Sequence, residues 1–405
     1  MKHLPVIAAG LLLCVSMSQA KLSPLAPDPD WSKLTIFQQT ITKADFVSLL
    51  DKVYAPNGAW KDTITIHSDG ALITTGPGES PFFLRFAASR SAAKPVSTYW
   101  RARAQLPAEE PDAPLAGMKI ALDPGHLGGP WAKMEERWFQ IGTYKPVAEG
   151  DMTLLVAKLL SARLKALGAQ VFLTHNSWGP TTNLRPAKLV DEATKSLTDK
   201  GKPVNPESVK KESELLFYRV AEIRRRAVIV NETIRPDLVI CLHFNAEEWG
   251  DPTNPKLTDV NHVHFLIAGS LSADEMGYED QRYDMLYKLL SRSYVEEAAV
   301  TEIISKKMAR ATGLPPYVYE GASASRVSGN SYVWARNLLA NRLFSCPVVY
   351  AEPYVMNSRS AFARIQMGDY SGYKEINGAP RKSIFREYAD TIADGILAYY
   401  SGRAL

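Results

Sequence analysis

The sequence predicts an α/β protein: a mostly parallel sheet flanked by helices, preceded by a small α+β module. Two observations carry that expectation. From Lys119 to Thr174 the chain reads strand, helix, strand with short links, the pattern of a βαβ unit and a helix-covered parallel sheet. Three apolar β-type runs, Ile120–Leu122, Leu238–Leu242 and Pro347–Ala351, also each lead into a residue suited to chemistry: His126 after Asp123-Pro-Gly125, then His243, then Glu352. Open α/β sheets bind ligands beyond the C-terminal ends of their strands, so one sheet edge is expected to carry all three.

A chain of 405 residues accommodates one large domain and a smaller one. With 46% hydrophobic and 22% charged residues it has an ordinary globular composition. A net charge of +4, with no basic run or aromatic–basic array, argues against a nucleic-acid partner. Residues 1–20 read as a signal peptide: Lys2 is the positive start, Ile7 to Val15 the apolar stretch, and Ser18-Gln-Ala20 the cleavage site. Leu13 is too large for a lipid-attachment box before Cys14, so cleavage after Ala20 is expected. No later apolar run approaches the roughly 20 residues of a membrane helix. An exported protein, periplasmic or extracellular and without a transmembrane segment, is therefore expected. Cys241 and Cys346 then remain, both at core strand positions, and could pair only if their strands are neighbours.

Residues 21–105 form the α+β module. Pro24 to Asp30 is extended, and Leu34 to Ile41 is rich in β-branched and aromatic residues. Thr42 caps a helix whose apolar positions, Phe46, Leu49, Leu50 and Val53, recur at helical spacing until Pro56-Asn-Gly58. Asp62 to His67 and Ala71 to Thr75 read as a hairpin, and Pro81 to Phe86 as another strand. The module has no cluster of chemical side chains. Residues 106–115 are a Pro- and acid-rich linker, and residues 116–405 the main domain.

After His126 comes an aromatic loop (Trp131, Trp138, Phe139, Tyr144), expected to line or cover a cleft because exposed rings are costly. Glu149-Gly-Asp151 opens a helix with Met152, Leu155, Val156, Leu159 and Leu167 on its apolar face and Gly168 as its stop. Asn176 to Glu214 is a polar insertion with some helix. Leu215 to Glu232 is an amphipathic helix that feeds through Pro236 into the strand before His243. Val263 to Ile267 is a further strand, and Tyr294–Ala311 and Ile384–Tyr400 are helical by period.

Zinc hydrolases hold their metal with two imidazoles and a carboxylate, and they need a separate carboxylate to move protons. His126, Glu149 and His243 supply a metal set, and Glu352 the proton carrier. Glu135 and Glu136 compete with Glu149 for the carboxylate position. His262 and His264 alternate on one strand face, as a second metal pair or as polar cleft lining. His175, at a strand end, could touch substrate.

Four segments in order resemble the zinc-dependent N-acetylmuramoyl-L-alanine amidases of the "amidase 3" type. They are Ile120-Ala-Leu-Asp-Pro-Gly-His126; Glu149-Gly-Asp-Met-Thr-Leu154; Arg226-Ala-Val-Ile-Val-Asn231 with Asp237-Leu-Val-Ile-Cys-Leu-His-Phe-Asn-Ala246; and Arg342–Pro347 with Val-Val-Tyr-Ala-Glu352. The likeness spans about Lys119 to Tyr400. It departs at Leu127, where the family carries glycine, and at His175, where it often carries arginine. The resemblance implies a zinc ion on His126, Glu149 and His243, Glu352 as the catalytic residue, and Asn245 and Arg342 as substrate contacts beside the His175 read from its strand end. It implies peptidoglycan or its muropeptide fragments as substrate, with a regulatory protein partner left unidentified. Relatives of this type can cover their metal with an inserted helix. That makes Ser270 to Tyr287, with Asp274, Glu275, Glu279, Asp280 and Asp284, a candidate cover. The competing expectations are a zinc hydrolase of another wall or peptide amide, and an inactive wall-binding protein.

Overall fold

A computed structural model describes residues 21–107 and 110–402. The signal peptide read over residues 1–20 lies outside them. Where β-type composition suggested extended chain, Trp31–Phe37 is a 3₁₀ turn: Asp30 accepts from the Ser32 amide, and Trp31, Leu34 and Phe37 are buried. Their three-residue spacing matches the 3₁₀ period and puts all three on one face. Helix α1 (Lys43–Leu49) starts where Thr42 Oγ1 accepts from the Asp45 amide at 3.2 Å. Strands β1 (Ile64–Ile66), β2 (Gly70–Ile73) and β3 (Phe82–Arg85) follow as an antiparallel sheet in that order.

The main sheet starts with β4 (Lys119–Pro124). The aromatic loop after it holds a short ribbon, β5 (Trp138–Phe139) with β6 (Val147–Ala148), before helix α2 (Glu149–Ala166) and β7 (Gln170–Leu173). The polar insertion folds as α3 (Val190–Asp199) and α4 (Pro206–Leu215). The helix beginning at Pro206 continues without a break to Ile234, with π turns at Leu216–Ala221 and Ile229–Ile234 on either side of α5 (Glu222–Val228). Arg235, at φ 51°, stops it. Then come β8 (Leu238–Leu242), β9 (Val263–Ala268), α6 (Ala273–Gly277), α7 (Glu279–Ser291) and α8 (Ser293–Thr312). The remaining elements used below are β10 (Ser325–Arg326), β11 (Val333–Arg336), α9 (Leu339–Leu343), β12 (Val348–Pro353), α10 (Arg359–Gln366) and α11 (Ile384–Tyr400).

Seven strands pair in the order β10-β11-β9-β12-β8-β4-β7. Strands β7, β4, β8 and β12 are mutually parallel, whereas β9 lies antiparallel to β12 and carries β11 with it. Helices α2, α8 and α11 cover one face through Val156, Leu160, Val300, Ile304, Ile392 and Ile396. The helix ending at Ile234, with α9, covers the other, where Val230 and Phe344 meet Val239, Cys241 and Val348. The β8 and β12 strands are neighbours, but Cys241 stands in register with Tyr350. Cys346 lies four residues earlier, about 13 Å along the strand direction. Both thiols are free and buried.

Residues 270–287 do not form a cover over the sheet edge. Met276, Met285, Leu286, Leu289 and Leu290 share one apolar cluster with Trp31, Leu34, Phe37, Phe46 and Leu50 of the N-terminal module. Trp31 Nε1 donates to Glu279 Oε1 at 2.8 Å. Arg282, fully buried, donates to the Thr74 carbonyl at 2.8 Å and the Thr75 carbonyl at 3.1 Å. On the far side of α7, buried Lys288 pairs with Glu297 of α8 and donates to the Cys346 carbonyl at 2.8 Å. The module is thus fastened to the main domain through α7.

Leu286 belongs to that shared cluster and is fully buried. Leu286→Ala is expected to destabilise the protein by about 2–5 kcal/mol, the usual cost of an aliphatic core truncation. Because the cluster spans both parts, urea unfolding followed by tryptophan fluorescence and by far-UV circular dichroism should shift together. Separate transitions would mean that the module is stable without α7.

Candidate metal and catalytic site

The site begins where β4 ends. Pro124 and Gly125 turn the chain, and His126 takes a left-handed backbone conformation, φ 67°, uncommon for a residue with a side chain. Gly125 is required by its neighbour: a Cβ there would lie 2.2 Å from Cε1 of His243. The guanidinium of Arg226 holds the turn from beneath. It donates to the Pro124 carbonyl at 2.6 Å and the His126 carbonyl at 2.9 Å, and pairs with Asp123 (3.3 Å) and Glu222 (2.9 Å). Thr153 Oγ1 donates to the Gly125 carbonyl at 2.6 Å. A Cβ on Gly150 would fall 2.3 Å from the Gly128 amide nitrogen. This glycine lets the first turn of α2 press against the loop, which brings Glu149 between the two imidazoles.

Ligand atoms of His126, Glu149 and His243 all lie within 4.8 Å of one another. Glu149 Oε2 is 3.2 Å from His126 Nε2, and its Oε1 is 3.1 Å from His243 Nδ1. The Phe244 amide donates to Oε1 at 3.0 Å, and Arg137 Nε lies 3.3 Å from Oε2. Glu135 is not in this group. Its Oε1 lies 3.5 Å from His126 Nδ1, and its Oε2 accepts from the Leu127 amide at 2.8 Å. A carboxylate on the far nitrogen of a ligand histidine fixes the ring's orientation and tautomer. Burial pushes the His126 imidazole down, but Glu149 and Glu135 outweigh it and raise it to about 9. Burial raises Glu149, and the two histidines more than reverse this, leaving it well below the usual carboxylate range. Two imidazoles and an anionic carboxylate at the wall of an open cavity are a donor set that fits a divalent transition metal.

A cavity of about 950 Å³ opens over these residues, lined also by Glu352, Tyr350, Asn245, Arg336, Trp138 and Trp249. Tyr350 stacks on His243 with ring centroids 4.4 Å apart. Glu352, at the end of β12, is 2.9 Å from Nε2 of His264. Burial raises the Glu352 carboxyl, but His264 beside it and then His243 outweigh that and lower it. The sequence leads one to expect desolvation to keep this group basic; the partnered His264 reverses the sign. His262 pairs instead with Glu247 at 3.3 Å. Among the described residues His262 and His264 belong to no three-residue metal cluster.

Of the expected substrate contacts, Asn245 lines the cavity. Arg342 lies elsewhere, on Asp284 at 3.3 Å and on Asn337. His175 is buried beneath the site, its ring nitrogens each 3.0 Å from a carbonyl oxygen, of Ser177 and of Pro124. Asn357, fully buried, accepts from the Glu247 amide at 3.0 Å and donates to the Glu247 and Lys256 carbonyls, pinning the loop that carries Trp249. The aromatic loop divides. Trp138 lines the cavity under Lys133, Phe139 is buried against Trp249, Trp131 packs on Phe217, and Tyr144 lies exposed beside Phe362. Sequence reasoning weighed Glu135 only as a rival ligand and did not single out Arg137, Arg336 or the partnership of His264 with Glu352. Nothing in their local sequence marks them.

The chain matches no family model and no curated protein. Among solved structures it is similar to the N-acetylmuramyl-L-alanine amidase Ami1 from Mycobacterium smegmatis, with 19% identity, TM-score 0.39, and 71% of this chain and 99% of that one covered. It is also similar to the amidase AmiC2 of Nostoc punctiforme, at 15% identity and TM-score 0.36 over 70% of this chain and 98% of that one. The CwlD amidase from Clostridioides difficile, solved in complex with the GerS lipoprotein, has 13% identity and TM-score 0.40 over 71% of this chain and 100% of that one. Likeness at this level carries no argument about activity.

Gly125→Ala puts a methyl group where the His243 ring stands. The variant should keep its helical circular dichroism yet bind a divalent metal roughly 10–100-fold more weakly, the loss typical when a ligand's support is removed. Equal metal affinity in a competition titration with a chromophoric chelator would show that His243 is not one of the ligands.

Proposed function

We propose that this chain is an exported zinc-dependent N-acetylmuramoyl-L-alanine amidase. It would hydrolyse the amide between N-acetylmuramic acid and L-alanine in peptidoglycan, with residues 116–405 as its catalytic domain and residues 21–105 as a docked module. One observation carries the reading: His126, Glu149 and His243 converge at the wall of the cavity that Glu352 also lines. These four stand in the segments that resemble that amidase family, which supplies the identity of the bond. An export signal at residues 1–20 fits a wall substrate, and among the described residues no helix is long and apolar enough to cross a membrane.

His126, Glu149 and His243 would hold the zinc, with Glu135 fixing the His126 ring from behind. When bound, zinc lowers the pKa of a water to roughly 7 and polarises the scissile carbonyl. The rest falls to the chain. Glu352, ionised at neutral pH under the influence of His264, accepts a proton from the attacking water and returns it to the leaving alanine nitrogen. Arg137, beside Glu149, balances the charge of that carboxylate. A cavity of about 950 Å³ has room for a polymer segment carrying both sugar and peptide.

Digestion of purified peptidoglycan followed by mass spectrometry should yield stem peptides with a free L-alanine amino terminus and intact glycan strands. Cleavage at a different amide would assign another substrate. Glu352→Gln should keep about one zinc per chain while turnover falls roughly 10²–10⁴-fold, the range for losing acid–base catalysis. Loss of zinc in that variant would make Glu352 a ligand, and full turnover would remove it from the mechanism.

The site also sets a pH dependence. His126 is protonated up to about 9 in the metal-free chain, so zinc must displace that proton. Zinc affinity should therefore rise with pH towards 9, with proton release seen by calorimetry in two buffers of different ionisation enthalpy. A pH-independent affinity would exclude His126 as a ligand.

A further inference from the structure

His264 is fully buried and faces the proposed base. Strand β9 runs antiparallel to β12, and Glu352 and His264 are direct cross-strand partners in that ladder. Such partners hold their side chains about 5 Å apart at the root, within reach of a short contact. The imidazole Nε2 lies 2.9 Å from Glu352 Oε2 and 3.1 Å from the Tyr319 hydroxyl. That hydroxyl in turn accepts from Arg336 Nη1 at 3.2 Å. The ring is walled in by Tyr317 and Tyr319, at centroid distances of 5.1 Å and 5.5 Å.

The tautomer follows from what each nitrogen meets. Nδ1 is buried and has no hydrogen-bond partner among the described residues. A proton on Nδ1 would be a buried donor with no acceptor, and an unprotonated Nε2 would then turn its lone pair on the carboxylate. A hydrogen on Nε2 removes the clash of lone pair and carboxylate. Nε2 therefore carries the hydrogen and shares it between Glu352, the better acceptor by charge and distance, and the Tyr319 oxygen.

We propose that His264 is the positioning residue of Glu352: an imidazole, braced by Tyr319 and Arg336, whose Nε2–H grips Oε2 and leaves Oε1 to meet substrate in the cavity. The proposal rests on the reading of Glu352 as the base. It makes Arg336 a link between the cavity wall and that base, since Arg336 lines the cavity and also donates to Tyr319.

The test uses the full mature chain loaded with zinc, comparing wild type, His264→Leu and His264→Gln on purified muropeptides. The Gln amide can place an N–H close to where Nε2–H stood. His264→Leu should keep its zinc and its KM while kcat falls roughly 10–100-fold, the usual cost of losing a supporting partner. His264→Gln should recover most of that loss. A His264→Leu enzyme at wild-type kcat overturns the proposal, as does equal impairment of both variants with KM and zinc content altered together. A second readout does not depend on turnover. In ¹⁵N-histidine spectra of the metal-free wild type, the resonance absent from His264→Gln should be that of a ring protonated at Nε2. A ring protonated at Nδ1 alone overturns the proposal even if the chain cleaves no muropeptide, an outcome that by itself would count against the amidase reading alone.

Discussion

Everything at the sheet edge depends on the buried guanidinium of Arg226. The turn from Asp123 to His126 presents carbonyls that no strand can pair, because β4 ends there. Arg226 satisfies two of them, at Pro124 and His126, and is itself neutralised by Asp123 and Glu222. A cation in that position would be costly alone, and burial opposes it; the two carboxylates more than compensate and keep it charged. This support helps His126 persist in a backbone conformation that side chains otherwise avoid. Strained residues held by an over-determined surround are common at functional sites. Glu222 also accepts from the Thr181 and Thr182 amides, so the same network ties down the loop after β7.

The second constraint is topological. Parallel strands β4, β8 and β12 deliver His126, His243 and Glu352 to one edge because each ends there. Strand β9 starts at that edge, being reversed, so its first residues meet the last residues of β12. A mixed sheet therefore places residues from the beginning of one strand beside residues from the end of another. His264 comes to stand beside Glu352 for that reason.

Much of this was legible in the sequence because it rests on local pattern. Apolar runs followed by His126, His243 and Glu352 mark strand ends, and Thr42, Gly168 and the period of Ile384–Tyr400 mark helices. What could not be read depends on partners remote in sequence. The direction of β9 leaves no trace in Val263–Ile267, so the His264–Glu352 contact and its effect on the carboxyl were invisible. Residues 270–287 read in the sequence as a candidate cover for the metal. Yet Glu279 and Asp280 are buried on Trp31 Nε1 and the Leu22 amide, contacts spanning more than half the chain. Arg342 and His175 stand at suggestive positions, but their polar atoms are already taken by Asp284, Asn337 and two backbone carbonyls.

The two thiols have a consequence for how the chain reaches this state. Cys241, in β8, and Cys346, just before β12, are enclosed in the native core and offset by about 13 Å along the strand direction, beyond the roughly 7 Å that a disulfide can span. Oxidation of the unfolded chain would therefore lock in a loop that the native sheet cannot contain. Under oxidising conditions, folding is a race between closure of β8 against β12 and capture of either thiol by an oxidant. Once the sheet closes, burial lifts both thiols far from their reactive thiolate form and the race is over.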